Sequence, residues 1–351
     1  MTGGRRPVEL DVLFPIERDV VGWERRHQAG EVPGLWPYGL HALREQTELP
    51  VQALGVRPPR PWERALGRIA GRVIPARGIG LAWDENVALR MVSVARRAQM
   101  YSGAIWITDA LARAVSRGEA LSPRLRAVRR VLRQMSGVFV LSRAQVEPLS
   151  EFLGPQAPEP GFVQFGVDAD FYRYSEYPER PLVASVGGDR DRDIPTLFAA
   201  LERVHAARPD AKIVVQTSSD VAPPDGVTKV PYFTHLQLRE LYASASLMVI
   251  ATRPNLHGSG MTVSLESMAT GRPVVITRTP GMADYVQEGT TGHFAPPGDA
   301  EALAEHVTAL LADPDGAAVM GRAARRSVEE SGSTQHLVAA LASFMNLPRN
   351  G

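Results

Sequence analysis

Cysteine is absent from this 351-residue sequence. Its absence excludes disulfide frameworks, cysteine nucleophiles and cysteine-ligated zinc sites. No apolar run approaches the roughly 20 residues that a bilayer-spanning helix needs. The short, polar N-terminus runs directly into a strand-like segment and leaves no room for a secretory signal. Together these absences predict a cytoplasmic protein.

Lysine is almost absent too, since Lys212 and Lys229 are the only lysines among 39 basic residues. The basic residues are also unevenly placed. Residues 1–165 carry 23 Lys and Arg against 16 Asp and Glu, whereas residues 166–351 carry 16 against 22. Halves of opposite net charge suggest two domains with different partners, and the basic half favours an anionic ligand. Solvated arginine faces without a partner explain the same excess.

Short apolar runs alternate with longer amphipathic segments, which is typical of parallel α/β sheets. In the first half we predict helices at 88–97 and 123–134, and a capping box at Ser142 and Gln145. The predicted strands of this half are 8–14, 51–54, 79–83, 104–107, 138–141 and 162–165.

The second half repeats the alternation, and each predicted strand is followed by a loop rich in Gly, Pro, Asp or Arg. In open parallel sheets, loops at the carboxyl ends of the strands bind ligands. The predicted strands are 182–187, 212–217, 247–251, 273–276 and 293–295. The predicted helices are 196–207, 236–244, 261–270, 300–311, 317–330 and 334–345.

The strongest local pattern is a glycine-rich loop that ends in a helix near Met261. Free amides at a helix start, together with the helix dipole, bind phosphate. Gly258 and Gly260 allow the backbone to approach a diphosphate closely. This pattern alone is weak support for an anion site.

The run 259–276, continued by 278–286, 289–292 and 296–299, resembles the retaining family 4 glycosyltransferases. Residues 165–171 resemble the interdomain linker of that family. The resemblance implies an α/β fold of the GT-B type, with two doubly wound Rossmann-like domains that face an interdomain cleft. The implied parts are an acceptor-binding domain (1–165), a linker (166–178), a nucleotide-sugar-binding domain (179–332) and a C-terminal helix packed back on the first domain (333–351).

The same resemblance implies a function. It is the transfer of a hexose, with retention of the anomeric configuration, from a nucleotide diphosphate sugar to a hydroxyl of a small-molecule or saccharide acceptor. No cofactor and no metal are required, and the partners are the donor and a hydroxyl acceptor, which can be anionic. Nucleic acid is not an expected partner.

Donor contacts are carried over residue by residue. Glu266 matches the second glutamate of the family's Glu–x7–Glu motif, which binds the ribose hydroxyls, and a carboxylate suits that role because charge-assisted hydrogen bonds are strong. Gly258 stands where the family has the first glutamate, which contacts the transferred sugar. The resemblance assigns the diphosphate to the amides of Ser259, Gly260, Met261 and Thr262.

The loop 186–193 matches the family segment whose basic pair faces the diphosphate. Arg192 corresponds to the lysine of that pair, Arg190 matches or assists its arginine, and Gly187 lies at the start of the loop. Asp189 and Asp191 also fit a short metal-binding pattern. We reject a metal there because the pattern is common by chance, and Asp193 reads as a helix cap.

For three further segments the sequence leaves two interpretations open. Tyr232 lies in the segment whose backbone meets the base in the family, or belongs to the core. Asp84 orients the acceptor or sugar hydroxyls, or caps a helix. The aromatic residues of 34–41 stack on an acceptor, or close a small core.

Five arginines crowd the predicted helix 123–134. The stripe is consistent with peripheral membrane contact, but packing with solvated arginines is the favoured interpretation. Two alternative functions remain. One is a catalytically silent GT-B partner protein, motivated by Gly258, and the other is a GT-B sugar-nucleotide hydrolase or epimerase.

Overall fold

The computed structural model describes residues 8–58, 78–91 and 99–349. Its contacts divide into two compact units. The first unit comprises residues 1–29, 34–163 and 337–351, and the second comprises 30–33 and 164–336. The segment 166–178, which the sequence suggested as a linker, therefore belongs to the second unit.

The first unit is built on a six-stranded parallel sheet with the order β2-β1-β3-β4-β5-β6. The inner strands Ile79–Ala82 and Gly137–Val140 are buried along their whole length, as expected for strands covered on both faces. The strands are β1 (Leu10–Pro15), β2 (Val51–Val56), β3 (Ile79–Ala82), β4 (Gln99–Gly103), β5 (Gly137–Val140) and β6 (Pro160–Phe162).

Six α-helices of the described chain accompany this sheet, and a C-terminal helix returns to it. Phe344 of that last helix packs edge-on against Tyr101 and Phe139, with ring centroids 5.9 and 6.0 Å apart. The helices are α1 (Val20–Gln28), α2 (Leu43–Gln46), α3 (Glu85–Arg90), α4 (Ile107–Ser116), α5 (Pro123–Leu132) and α6 (Val146–Leu153), with the C-terminal helix α12 at Thr334–Phe344.

The second unit is built on another six-stranded parallel sheet, with the order β12-β11-β10-β7-β8-β9. Its strands are β7 (Leu182–Val186), β8 (Lys212–Gln216), β9 (Val227–Val230), β10 (Leu247–Ile250), β11 (Val274–Thr277) and β12 (Gly292–Ala295). Its helices are α7 (Ile194–Ala207), α8 (His235–Ser244), α9 (Met261–Ala269), α10 (Ala300–Ala312) and α11 (Pro314–Ser327). Two parallel α/β sheets confirm the predicted fold class.

One prediction near α4 was wrong, and the error comes from a contact between distant residues. The run 104–107 is not a strand: β4 precedes it, and Ile107 begins a helix. The carboxylate of Glu85 accepts the Ile105 and Trp106 amides, at 2.9 and 3.1 Å, and so satisfies donors just before this helix. The predicted helix 88–97 is observed only as α3, and its part from 92 to 97 lies outside the described residues.

The capping box predicted at Ser142 is incomplete. Ser142 Oγ accepts the Ala144 amide at 3.2 Å, but the Gln145 amide group instead donates to Ile105 O and Thr108 Oγ1, both at 2.8 Å. Strand β9 was not predicted. It is a half-buried edge strand, and its sequence lacks the apolar run that marks a central strand.

Among residues 8–58, 78–91 and 99–349, no helix is long and apolar enough to cross a membrane.

Candidate functional site

The loop between β10 and α9 ends in a glycine that caps the helix without a side chain. Gly260 adopts φ = 100°, a conformation that favours glycine, and as the N-cap residue it has no side chain that could hydrogen-bond the first amides of the helix. The Ser259 amide is bound by Asn255 Oδ1 at 2.9 Å, and the Met261 amide by Gly258 O at 3.0 Å. Two of the four amides assigned to phosphate, those of Ser259 and Met261, therefore form hydrogen bonds within the loop. The amides of Gly260 and Thr262 are left for a ligand.

Arg192 lies beside this helix start. Its side chain is only 8% exposed, and its Nε lies 3.3 Å from Asp189 Oδ2. Nε and Nη1 are buried and make no hydrogen bond within the described chain. A Cβ placed on Gly260 would lie 3.1 Å from Nη1, so the guanidinium reaches the first turn of α9. Burial lowers the pKa of Arg192, although Asp189 and Tyr242 oppose that shift.

Asp189 joins the loop after β7 to the loop before α9. Its two carboxylate oxygens lie 3.0 and 2.9 Å from Ser259 Oγ, which donates to them, and Oδ1 also accepts the Asp191 amide at 2.9 Å. In the sequence, Asp189 was part of a short metal-binding pattern, which we rejected as a metal site. In the structure it orients Ser259 and partly balances the charge of Arg192.

The two arginines of the predicted basic pair differ in their surroundings. The Arg190 side chain is 51% exposed, and its Nε lies 3.4 Å from Asp191 Oδ2. Asp193 caps α7 by accepting the Thr196 amide, as predicted. Arg192 is therefore the buried cation of this loop, and Arg190 lies at its surface.

A cavity of about 270 Å³ opens at the carboxyl ends of β7 and β8. Arg192 and Arg253, the latter in the loop that follows β10, both line this cavity. Arg253 is exposed, and no hydrogen bond or ion pair occupies its guanidinium within the described chain. Sequence reasoning missed Arg253, although its place at a carboxyl strand end was a usable signal. The remaining lining residues are Gly187, Gly188, Asp189, Ile194, Pro195, Thr217, Ser218, Ser219 and Val221.

Gln216 links this cavity to the segment of Tyr232. Its Oε1 accepts the Gly187 amide at 3.2 Å, and its Nε2 donates to Pro231 O at 3.0 Å. The Tyr232 side chain is 66% exposed, which excludes the core interpretation for that ring.

Glu266 lies inside the second unit and is not a solvated surface glutamate. Tyr242 Oη donates to Glu266 Oε2 at 2.8 Å. Burial raises the pKa of Glu266 to about 7, while the hydroxyls of Tyr242 and Tyr172 act to lower it. Neither tyrosine was singled out from the sequence, because each comes from a different segment of the chain.

In the first unit, Asp84 caps α3. Its Oδ1 accepts the amides of Asn86 and Val87 at 2.9 and 3.0 Å, which supports the capping interpretation. The neighbouring Glu85 is buried, and this burial, reinforced by the Asp84 charge, raises its pKa to about 7.

The aromatic residues of 34–41 form a small core in this unit. Tyr38 stacks on Trp83 with centroids 4.2 Å apart, and Trp36 is 1% exposed with the Arg44 guanidinium over its face. These ring faces are occupied by protein groups, so the core interpretation is confirmed over stacking on an acceptor.

The arginine-rich helix α5 buries its apolar residues and exposes three of its arginines. Arg133 donates to Leu153 O at 3.1 Å at the end of α6, and the Arg129 guanidinium lies over Phe152. The favoured packing interpretation is therefore confirmed. The buried residues are Leu125, Val128, Val131 and Leu132, and the exposed arginines are Arg124, Arg126 and Arg130.

Comparison with known proteins identifies the second unit. Residues 180–313 match the model of the family described as glycosyl transferases group 1. The chain is 25% identical over 285 residues to the glycogen synthase of Mycobacterium tuberculosis, a match that covers 78% of this chain and 66%, just under two thirds, of that protein. The second unit thus contains a glycosyl transferases group 1 domain, as the sequence resemblance indicated.

Solved structures establish the fold class. The sucrose-phosphate synthase of Thermosynechococcus elongatus matches with a TM-score of 0.67 at 16% identity, covering 97% of this chain and 98% of that chain. Anabaena Alr3699/HepE, solved with UDP and glucose, matches with a TM-score of 0.69 at 14% identity, covering 97% and 99%. At these identities the likeness shows the fold alone, which is GT-B.

Proposed function

We propose that this chain, which contains a glycosyl transferases group 1 domain at residues 180–313, is a retaining glycosyltransferase. It transfers a hexose from a nucleotide diphosphate sugar to a hydroxyl of a small-molecule or saccharide acceptor. The observation that carries the proposal is Arg192, a buried cation with two nitrogen atoms that make no hydrogen bond within the described chain, beside the start of α9. A buried donor without an acceptor is costly unless a ligand supplies one. A diphosphate supplies both the charge and the acceptor oxygens.

The donor is held by groups of the second unit. Arg192 and the helix start bind the diphosphate, and Arg253 adds a second cation at the same cavity. The Glu266 carboxylate accepts hydrogen bonds from the ribose hydroxyls. The base lies toward the segment of Tyr232, which Gln216 ties to the cavity.

The chemistry follows from charge stabilisation. The bond between the anomeric carbon and the phosphate oxygen breaks, and the acceptor oxygen bonds to the same face of that carbon. The acceptor proton passes to the departing phosphate, so no strongly basic side chain is needed. Two arginines and a helix start stabilise the charge that develops on the diphosphate, which supports a reaction without a required metal or cofactor.

Support for the substrates comes from the relatives. Alr3699/HepE was solved with UDP and glucose, and another GT-B structure, that of the Staphylococcus aureus protein TarM, holds UDP and α-GlcNAc-glycerol. These ligands favour a nucleotide-sugar donor and a saccharide-like acceptor for this chain. The basic first half extends the proposal to an anionic acceptor. The cysteine-free composition supports a cytoplasmic location.

One observation favours a second candidate, a catalytically silent partner protein. Gly258 stands where the sugar-contacting glutamate is expected, and its φ of 71° lies in the left-handed region. The loop is therefore shaped for glycine at this position, and a simple replacement would not restore the glutamate. A donor site without turnover would fit this candidate.

Calorimetric titration with UDP, GDP, ADP and dTDP tests the donor site. We expect one diphosphate to bind, Arg192→Met to weaken its binding at least tenfold, and the surface variant Arg278→Met to leave it unchanged. NMR of the product, formed from the matching nucleotide sugar and a panel of acceptors, then reports the anomeric configuration. Failure of the wild type to bind any of the four diphosphates would refute the proposal. Binding without transfer or hydrolysis would favour the silent partner, whereas donor consumption without an acceptor would indicate a hydrolase or epimerase.

A further inference from the structure

Glu266 lies against two buried tyrosines from separate segments. Tyr242 of α8 is 0% exposed and Tyr172 is 1% exposed, and their ring centroids lie 5.8 Å apart at 61°. Tyr242 Oη donates the one hydrogen bond that the Glu266 carboxylate receives within the described chain, and no ion pair reaches that carboxylate there. The Tyr172 hydroxyl faces the same carboxylate without a hydrogen bond of ordinary geometry.

Two arginines anchor the backbone of these tyrosines. Arg272 is fully buried, and its Nε and Nη2 donate to Tyr242 O at 3.2 Å and to Ala243 O at 2.7 Å. Arg325 Nη1 donates to Tyr172 O at 3.1 Å and to Ala269 O, at the end of α9, at 2.7 Å. Each tyrosine is thus fixed at its backbone by a cation while its side chain faces one carboxylate. A cluster anchored in this way holds Glu266 in one orientation.

We propose that Tyr242 is a positioning residue of the nucleotide site. Its hydroxyl occupies one oxygen of the Glu266 carboxylate and keeps the group oriented, so that its remaining acceptor capacity meets the two hydroxyls of a ribose. The inference rests on the proposed function and deepens it, because it assigns the site to ribonucleoside diphosphates over their 2′-deoxy forms. A 2′-deoxyribose leaves an oriented acceptor unpaired, and sites built to bind a hydroxyl reject analogues that lack it.

The charge of Glu266 depends on the same contact. Burial raises the Glu266 pKa, and the Tyr242 hydroxyl is the first of the groups that lower it, followed by the Tyr172 hydroxyl. The charged groups that act on these tyrosines are Arg192 at Tyr242, and Arg239 and Asp168 at Tyr172. Removal of the Tyr242 hydroxyl therefore leaves a buried carboxylate with weaker stabilisation, and its pKa rises further.

The test compares Tyr242→Phe with a matched control. Tyr174→Phe also removes a tyrosine hydroxyl that donates to a glutamate, Glu176, but this pair lies at the surface of the same unit. The carboxyl ¹³C signal of Glu266, assigned by its loss in Glu266→Gln, is titrated in the ligand-free protein. Affinities for UDP and 2′-deoxy-UDP, or for the matching pair if another base binds, are measured from pH 6 to 8.5.

We expect Tyr242→Phe to raise the Glu266 midpoint by about one to two pH units, the size of one hydrogen bond to a charged group. In this variant, ribonucleotide affinity at pH 7 should fall about tenfold and recover toward pH 8.5. The ratio of the affinity for the ribose form to that for the 2′-deoxyribose form should decrease. Tyr174→Phe should match the wild type in all three readouts. A merely structural role would lower affinity equally at every pH and leave the midpoint unmoved.

Failures of the two proposals are distinguishable. An unshifted carboxyl midpoint in folded Tyr242→Phe overturns the inference, whether or not nucleotides bind. A shifted midpoint in Tyr242→Phe, together with equal affinity of the wild type for the ribose and deoxyribose forms, overturns the assignment of Glu266 to the ribose hydroxyls. A wild type that binds neither form at any pH overturns the proposed function and, with it, this inference.

Discussion

The guanidinium of Arg192 occupies the space in front of Gly187. A Cβ built on Gly187 would overlap Nε, Cζ and Nη2 of Arg192, and the glycine φ of 151° is one that other residues rarely adopt. Arg192 can therefore remain buried beside α9 because Gly187 has no side chain.

Gly187→Ala should displace Arg192 and weaken diphosphate binding about as much as Arg192→Met does. The strained φ and the overlap should also lower the free energy of unfolding by about 1–3 kcal/mol. Gly188→Ala is the matched control, since no atom lies within 4 Å of a Cβ placed there. Titration and denaturant unfolding of both variants check the prediction, and equal behaviour of the two would contradict it.

Arg253→Gln should weaken binding of a nucleoside diphosphate by about tenfold, because one charge-assisted contact to phosphate is lost. Binding of the uncharged nucleoside should not change, and the salt dependence of diphosphate binding should decrease. Arg278→Gln, which alters an exposed ion pair with Glu288, serves as the control. A parallel loss for nucleoside and diphosphate would show that Arg253 does not act on phosphate.

Glu85 should make the stability of the protein depend on pH. Burial holds the pKa of Glu85 at about 7 in the folded chain, against an ordinary value of 4.5, so the folded state holds the proton more tightly between these values. The contribution of Glu85 to stability therefore falls as pH rises from about 4.5 to about 7, by roughly 3 kcal/mol, and is constant above that range.

Glu85→Gln removes this titration. Its free energy of unfolding, relative to wild type, should therefore rise with pH across the same window, although the variant loses one acceptor for the Ile105 and Trp106 amides. Glu266 contributes equally to both proteins and cancels in the difference. Urea unfolding at pH 5, 6, 7 and 8 measures this difference in free energy. Parallel pH profiles for the two proteins would refute the raised pKa of Glu85.

Arg272→Met should lower the free energy of unfolding far more than Arg278→Met does. Arg272 is fully buried, and its donors serve Tyr242 O, Glu176 O and Ala243 O. Its loss leaves buried carbonyls unpaired and should cost about 3 kcal/mol or more. The Arg278–Glu288 pair is exposed, so its loss should cost less than about 1 kcal/mol. Guanidinium unfolding at pH 7 compares them, and similar costs would contradict this account.

The sequence was sufficient where structure is specified locally. The strand, glycine loop and helix around Gly260 were predicted because the apolar run, the glycines and the helix period are adjacent in the chain. The error at 104–107 has the opposite cause, because the carboxylate that binds the amides just before that helix belongs to Glu85, about 20 residues earlier. An apolar run alone does not distinguish a strand from a helix start.

The same distinction holds at the candidate site. Glu266 and Arg192 were identified by motif, since each lies in a segment with a recognisable pattern. The tyrosines that hold Glu266 and the cation Arg253 come from other strand ends and helices. Only the folded chain brings the tyrosines to Glu266, so no local pattern could indicate them, whereas Arg253 closely follows a predicted strand and could have been noticed from that position.

Phe344 packs on Tyr101 and Phe139. This contact determines the order in which the two units can complete their folding. The second unit has all but four of its residues within 164–336, whereas the first unit needs residues 337–351 as well. During synthesis from the N-terminus, the second sheet and its helices are therefore complete before the first core can close. Of the two units, the first is therefore finished last.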